Sequence, residues 1–120
     1  MKIQDDVLAG LIEINSRVLD VGCGDGNLLL YLKKNKRIDG RGLEINQKNV
    51  QECLGKGLAV VEGDAEKDLI NYPNRSFDIA ILNQAIQQFY EPRRVLNELL
   101  RIAHKAIITC LLYTSDAADE

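Results

Sequence analysis

The sequence predicts an α/β fold with a doubly wound, mostly parallel sheet. Apolar runs of strand length alternate with segments of helical periodicity. A glycine-rich turn at residues 22–26 follows the first of these runs. The runs are nearly continuous, which is typical of parallel strands covered on both faces. The length of 120 residues and the apolar content of 46% fit one globular domain.

The first half of the chain predicts two helices and two strands. A first helix is indicated by four apolar residues at helical spacing, Val7, Leu8, Leu11 and Ile12. The first strand covers residues 17–21. A second helix begins near Asp25, whose charge suits a helix N-terminus, and its buried face carries Leu28, Leu29 and Leu32. The second strand covers residues 40–45.

The second half continues the alternation. Asn46 is expected to cap a helix that ends at Gly55 and Gly57 and that buries Val50, Cys53 and Leu54. Strands are predicted over residues 58–62, 77–82 and 105–109, and a surface loop over 71–76. Pro92 suits the first turn of the last helix, whose predicted apolar face holds Val95, Leu96, Leu99, Leu100 and Ala103.

Several classes of protein are excluded by composition. No run approaches the ~18 apolar residues of a membrane span, and the N-terminus lacks the pattern of a signal peptide. Cys23, Cys53 and Cys110 form no C-x-x-C pair, which argues against a zinc site and a disulfide framework. We therefore expect a cytoplasmic protein with reduced cysteines, no metal and no membrane contact.

Residues 110–120 match the translation of a transposase adaptor used in sequencing libraries. We interpret them as an adaptor-derived, non-native tail and residues 1–109 as the domain, C-terminally incomplete. The tail contains three of the 18 acidic residues and none of the 15 basic ones, so residues 1–109 are formally neutral. This balance gives no electrostatic reason to expect nucleic acid as a partner.

The glycine turn predicts a ligand site. Gly22, Gly24 and Gly26 would let a ligand approach the backbone closely, as in dinucleotide sites. The dinucleotide pattern, however, expects a third glycine where Asn27 stands. The carboxylates of Asp20 and Asp25 would also repel a pyrophosphate. S-adenosylmethionine fits better, because Asp20 would bind its ammonium directly or through water. A nicotinamide-dependent oxidoreductase is accordingly disfavoured.

Other candidate cofactor residues follow the next strands. Glu44 stands where doubly wound nucleotide folds place the acid that binds the ribose hydroxyls, and Ile45 would form a wall for the adenine. Asp64 would accept the adenine amino hydrogen while the Ala65 amide donates to the ring. The carboxyl ends of parallel strands share one edge of the sheet, so we expect these residues in one pocket. Asn83 would lie beside the transferred methyl group.

The catalytic residues are not identified by the sequence. His104 is expected to face solvent at a helix end rather than act as a base. Cys23 is counted with the glycines of the loop among the cofactor-binding positions. It is interpreted there as small filler rather than a nucleophile, since no basic partner is placed to activate it. Phe89 either lines the substrate surface or only packs, and Gln87, Gln88 and Tyr90 are further candidates for that surface.

Four segments together carry a resemblance to a known family: Ser16-Arg17-Val18-Leu19-Asp20-Val21-Gly22-Cys23-Gly24-Asp25-Gly26, Gly42-Leu43-Glu44-Ile45 with Asn49-Val50, Val61-Glu62-Gly63-Asp64, and Ser76-Phe77-Asp78 through Asn83-Gln84-Ala85-Ile86-Gln87. The chain resembles class I S-adenosylmethionine-dependent methyltransferases and, among these, is most similar to the MetW family. The glycine motif is common to the class, whereas residues 83–87 and the short 64–74 connection suggest MetW.

The resemblance implies a Rossmann-like, doubly wound sheet of the class I methyltransferase type, truncated here after the fifth strand. It implies S-adenosylmethionine as cofactor and a bacterial cytoplasmic protein of methionine biosynthesis that works with homoserine O-acyltransferase. The alternative is a conventional methyltransferase acting on a small molecule, because an in-line methyl transfer gains much from positioning without a dedicated base. The methyl acceptor is unknown under both hypotheses.

Overall fold

The computed structural model describes residues 5–83 and 89–109. Within them, five parallel strands form one sheet in the order β3-β2-β1-β4-β5. The strands are β1 (Arg17–Val21), β2 (Asp39–Glu44), β3 (Ala59–Glu62), β4 (Phe77–Asn83) and β5 (Ala103–Thr109). The helices are α1 (Asp5–Gly10), α2 (Asn27–Lys36), α3 (Gln47–Gly55), α4 (Ala65–Asp68) and α5 (Pro92–Ile102), with a 3₁₀ turn at Leu69–Asn71. The predicted α/β class is confirmed.

The strand order reverses between β1 and β4. From β1 the chain moves outward through β2 to β3, then returns to the other side of β1 to form β4 and β5. Open sheets of this kind form a crevice beyond the carboxyl ends of the strands at the reversal point. The topology therefore places the ends of β1, β2 and β4 around one crevice.

Two apolar cores cover the two faces of the sheet. The alternation of side chains along β1 directs Val18 to one face and Leu19 and Val21 to the other. The first core is completed by α1, α2 and α3, and the second by α5 and the 3₁₀ turn. β1 is buried on both faces from Val18 to Val21, which explains why this run is apolar apart from Asp20.

Some predicted core positions were wrong. Leu54 and Leu100 are each about half exposed, and Val61 in β3 is 55% exposed. Of the four apolar residues that indicated the first helix, Leu8 and Ile12 are buried and Val7 and Leu11 are about half exposed. β3 is an edge strand followed by a helix of only four residues, so much of one of its faces stays open. In α5 the buried positions are Val95, Leu99 and Ile102, a narrower stripe than predicted.

Element ends also shifted, with local causes. α2 begins at Asn27 rather than near Asp25, because Gly26 at its N-cap is left-handed, with φ 85°. β5 begins at Ala103, so His104, predicted to precede the strand at a helix end, lies in it, exposed, with its Nδ1 3.2 Å from Arg75 Nη1. Asn46 caps α3 as predicted, because its Oδ1 accepts from Asn49 N–H at 3.0 Å. Over residues 5–83 and 89–109, no helix has the length and apolar character needed to cross a membrane.

Candidate functional site

A crevice of about 220 Å³ lies at the carboxyl ends of β1, β2, β3 and β4. Its walls combine apolar side chains, exposed backbone and two carboxylates. The lining residues are Val21, Gly22, Leu43, Glu44, Ile45, Gly63, Asp64, Ala65, Asn83 and Phe89. Six predicted site residues, Gly22, Glu44, Ile45, Asp64, Ala65 and Asn83, are therefore brought together. Asp20, Cys23, Gly24 and Gly26 are not among the lining residues.

Two larger depressions lie elsewhere on the surface, but fewer polar groups that could bind a ligand converge in them. One of about 310 Å³ lies beside Lys33 and Arg41, near the start of β2. Another, of about 450 Å³, runs along β3 between Leu54 and Tyr72 and is mainly apolar. Neither depression is lined by a residue of the glycine turn or by the buried acids Asp20 and Glu44. The crevice at the strand ends remains the candidate site because polar groups converge there.

The glycine turn follows β1 with three left-handed glycines. Gly22, Gly24 and Gly26 have φ of 72°, 60° and 85°, a region that favours glycine. Gly26 also has no room for a side chain, since an added Cβ would lie 2.5 Å from Leu58 Cδ1 and 2.8 Å from Cys53 Sγ. Gly26 therefore lets the turn pack against α3 and the start of β3, whereas Gly22 forms part of the crevice wall.

Glu44 ends β2 with its carboxylate held by three donors. Oε1 accepts from the Gly24 N–H at 2.8 Å, and Oε2 accepts from the Asn46 N–H at 3.0 Å and from Asn49 Nδ2 at 3.4 Å. The side chain is 7% exposed. Glu44 thus fixes the glycine turn and also lines the crevice. The sequence carries no signal of this structural role.

Asp20 lies on β1 one residue before Val21 and two before Gly22. It is 2% exposed, and its Oδ1 has no hydrogen-bond partner among the described residues. Burial, reinforced by the carboxylates of Glu44 and Asp5, raises the pKa of Asp20 to about 7. A buried, unpartnered carboxyl group costs stability unless something else satisfies it. Asp20 is therefore suited to bind a cation.

Asp64 and Ala65 begin α4. Asp64 Oδ1 caps this helix by accepting from the Glu66 N–H at 2.9 Å, and the Asp64 N–H donates to Asp68 Oδ2 at 2.7 Å. The Ala65 N–H has no hydrogen-bond partner within the described part of the chain. The Ala65 N–H can therefore donate to a ligand at this wall, whereas one oxygen of the Asp64 carboxylate already accepts a hydrogen bond from the protein.

Asn83 and Phe89 close the crevice on the β4 side. Thr109 Oγ1, at the end of β5, donates to Asn83 Oδ1. Phe89 lines the crevice and packs against the second core, and its role at a substrate surface stays a prediction. Tyr90 is almost fully exposed. The candidates Gln87 and Gln88 and the MetW-like residues 84–87 lie outside the described residues.

Cys23 is a buried residue of the glycine turn. Its Sγ is 3.9 Å from Cys53 Sγ and belongs to the first core. Burial is the main cause that raises the pKa of the Cys23 thiol, and Asp20 adds to the effect. A thiol with a raised pKa is a poor nucleophile. This agrees with the interpretation of Cys23 as filler of the turn.

Residues 4–113 match the family model described as methionine biosynthesis protein MetW. A curated relative, the bifunctional methionine biosynthesis protein MetXA/MetW of Rhodopirellula baltica, is 30% identical over 117 residues, or 91% of this chain. Those residues are 19% of the relative, so the chain spans less than a fifth of its length.

Solved structures give the same fold. A SAM-dependent methyltransferase from Archaeoglobus fulgidus is 25% identical with a TM-score of 0.68, over 83% of this chain and 48% of that one. The [4+2]-cyclase SpnF is 28% identical with a TM-score of 0.73, over 82% of this chain and 39% of that one. The sheet is therefore that of a Rossmann-like class I methyltransferase. Because the match to the family model covers more than half of its residues, this chain belongs to the MetW family of methionine biosynthesis proteins.

Proposed function

We propose that the crevice binds S-adenosylmethionine. The main supporting observation is the buried Oδ1 of Asp20, which has no partner among the described residues and lies two residues before Gly22. The ammonium of the methionine portion would satisfy this carboxylate directly or through one water. Because charge pairing in a buried site is strong, the same contact would discriminate against anionic ligands.

The nucleoside end is supported by the other walls. Glu44 Oε1 accepts only one internal hydrogen bond, so it has a lone pair left to accept from a ribose hydroxyl. Ile45, 66% exposed at the mouth, would cover one face of the adenine, and the unpaired Ala65 N–H would donate to a ring nitrogen. Asp64 retains Oδ2 for the exocyclic amino group. Bound there, S-adenosylmethionine would supply an electrophilic methyl group.

The binding proposal is tested by calorimetry on the protein. We expect heat on titration with S-adenosylmethionine and S-adenosylhomocysteine and none with NAD. An Asp20→Ala, Glu44→Ala double variant should lose binding. Heat with NAD alone, or unchanged binding by the double variant, would falsify the proposal.

At the level of the whole protein, we propose a role in methionine biosynthesis through association with homoserine O-acyltransferase. Membership of the family supports this role, and the relative that names MetXA and MetW in one bifunctional chain supports physical association. Copurification of the protein with the acyltransferase tests it. We expect a stable complex or a change in acyltransferase activity, and the absence of both would remove the proposal.

The second candidate is methyl transfer to a small molecule. It is supported by the likeness to a SAM-dependent methyltransferase and by Asn83 at the crevice, beside the position expected for the methyl group. The likeness to a [4+2]-cyclase illustrates that this fold also supports other reactions. Transfer of a labelled methyl group into cell extract separates the candidates, and no transfer would count against the enzyme.

A further inference from the structure

We infer that Lys56 is a positioning residue for the glycine turn. Its ammonium, together with Asp25 and Asn27, would hold the glycine turn in its ligand-binding shape. This inference rests on the proposed binding of S-adenosylmethionine at the crevice. It also gives a role to Asn27, the residue that separates this turn from the dinucleotide pattern.

Lys56 reaches the turn from the end of α3. Its Nζ donates to the Asp25 carbonyl oxygen at 2.7 Å and to Asn27 Oδ1 at 2.9 Å. The termination of α3 directs it there, because Lys56 is the C-cap and Gly57 follows in the left-handed region with φ 79°. A residue 31 positions from Asp25 thus becomes a direct neighbour of the turn.

Asn27 connects this contact to the start of α2. Its N–H and its Nδ2 donate to the two carboxylate oxygens of Asp25, each at 3.0 Å, while its Oδ1 accepts from Lys56. The backbone N–H and both polar atoms of the Asn27 side chain therefore contact Asp25 or Lys56. Glycine, which the dinucleotide pattern would place here, makes none of the side-chain contacts.

The last turn of α3 thus holds two consecutive carbonyl groups of the turn. Cys53 Sγ donates to the Gly24 carbonyl oxygen at 3.2 Å, and Lys56 donates to that of Asp25. On the crevice side, Glu44 accepts from the Gly24 N–H. The turn is therefore fixed on both sides, and Lys56 supplies its charged contact from the side away from the ligand.

A positioning role differs from an electrostatic one in a measurable way. If Lys56 shapes the turn, Lys56→Ala weakens S-adenosylmethionine and S-adenosylhomocysteine equally, because both nucleosides use the same turn. If it acts through charge alone, its removal favours the cationic sulfonium over the neutral thioether. The ratio of the two affinities therefore separates the roles.

The experiment is calorimetric titration of both nucleosides into the full chain. We expect Lys56→Ala to weaken both by about 3- to 10-fold, the worth of one or two exposed hydrogen bonds. Lys56→Arg should restore most of the affinity. Lys34→Ala is the matched control, since Lys34 is an exposed lysine of α2 whose side chain makes no hydrogen bond or ion pair within the described residues. Asn27→Ala combined with Lys56→Ala should be non-additive, because the two residues share one contact.

Unchanged affinity in Lys56→Ala, or a loss confined to one nucleoside, overturns the inference. Amide hydrogen exchange of residues 22–30 in the free protein gives a second readout, which should quicken in Lys56→Ala and not in Lys34→Ala. If the unsubstituted chain binds neither nucleoside, the proposed function fails. In that case the exchange data still decide whether Lys56 orders the turn.

Discussion

The carboxyl ends of β1 and β2 both carry a buried carboxylate, but only the one on β2 is held by the protein. Glu44 accepts three hydrogen bonds from residues 24, 46 and 49. Asp20 leaves Oδ1 unpartnered within the described residues, although it is still more deeply buried. The difference shows that the protein itself satisfies one acid and leaves an oxygen of the other unsatisfied, and the proposed function assigns that oxygen to the charge of a ligand.

The largest effect is expected from breaking the β2 side. Glu44→Ala removes the acceptor of the Gly24 and Asn46 N–H groups, so the free energy of unfolding should fall by about 2 to 4 kcal/mol. Nucleoside binding should be lost with the shape of the turn. Urea unfolding measures the first effect and calorimetry the second. Glu52→Ala, at an exposed acid of α3, is the control and should change neither.

An opposite effect on stability is expected on the β1 side. Asp20→Asn removes a buried charge that no group among the described residues neutralises. The free energy of unfolding of the free protein should therefore rise by about 1 to 3 kcal/mol near pH 8. The same change should weaken S-adenosylmethionine by about 10-fold, because a charge-assisted contact becomes neutral. Destabilisation at this pH would contradict the contrast between the two acids.

The pH dependence should follow from the raised pKa of Asp20, about 7 when folded against an ordinary value of 3.8. Between these values the folded protein keeps a proton that the unfolded chain has released. The contribution of Asp20 to stability is therefore full below about pH 4 and is lost as the pH rises to about 7. Urea unfolding of the unsubstituted protein minus that of Asp20→Asn isolates this slope. A flat difference would contradict it.

Ligand binding should show the complementary trend. A cation at Asp20 favours the ionised form, so affinity for S-adenosylmethionine should rise with pH up to about 7 and then level. 5′-Methylthioadenosine lacks the ammonium and should show little of this rise. Equal pH profiles for the two nucleosides would place the ammonium away from Asp20.

The smallest effect is expected at the opposite end of β1. Arg17 donates to Asp78, with Nη2 3.0 Å from Oδ1, and both side chains are nearly half exposed. The hydrogen bonds from Arg17 lower the pKa of Asp78, so this contribution is present above about pH 4 and lost below it. Asp78→Asn should cost at most about 1 kcal/mol and leave nucleoside affinity unchanged. Weaker binding in this variant would show that the two ends of the strand are coupled.

Much of the fold follows from local signals. The strand and helix order, the Asn46 cap and the left-handed glycines depend on neighbouring residues, so periodicity and turn chemistry predict them. The exposure of Leu54, Leu100 and Val61 was not predictable in this way. It depends on how far α3, α4 and α5 extend over the sheet, which helical spacing alone does not report.

The site likewise has a part that the sequence predicts and a part that it does not. Gly22, Glu44, Ile45, Asp64, Ala65 and Asn83 were predicted to share a pocket because they follow parallel strands, and they do line one crevice. Phe89 was left between two roles. The contacts of Asn49 with Glu44 and of Lys56 with the turn had no sequence signal, since they join segments that are brought together only by folding.

The sequence by itself determined the alternation of elements, the glycine turn and the acid at the end of β2. These are properties of residues within a few positions of one another, where backbone sterics and apolar periodicity act. Only the tertiary structure decided that Glu44 is held by donors while Asp20 is not, and that Lys56 reaches Asp25. Hydrogen bonding and burial at these positions depend on which distant segments the parallel sheet places side by side.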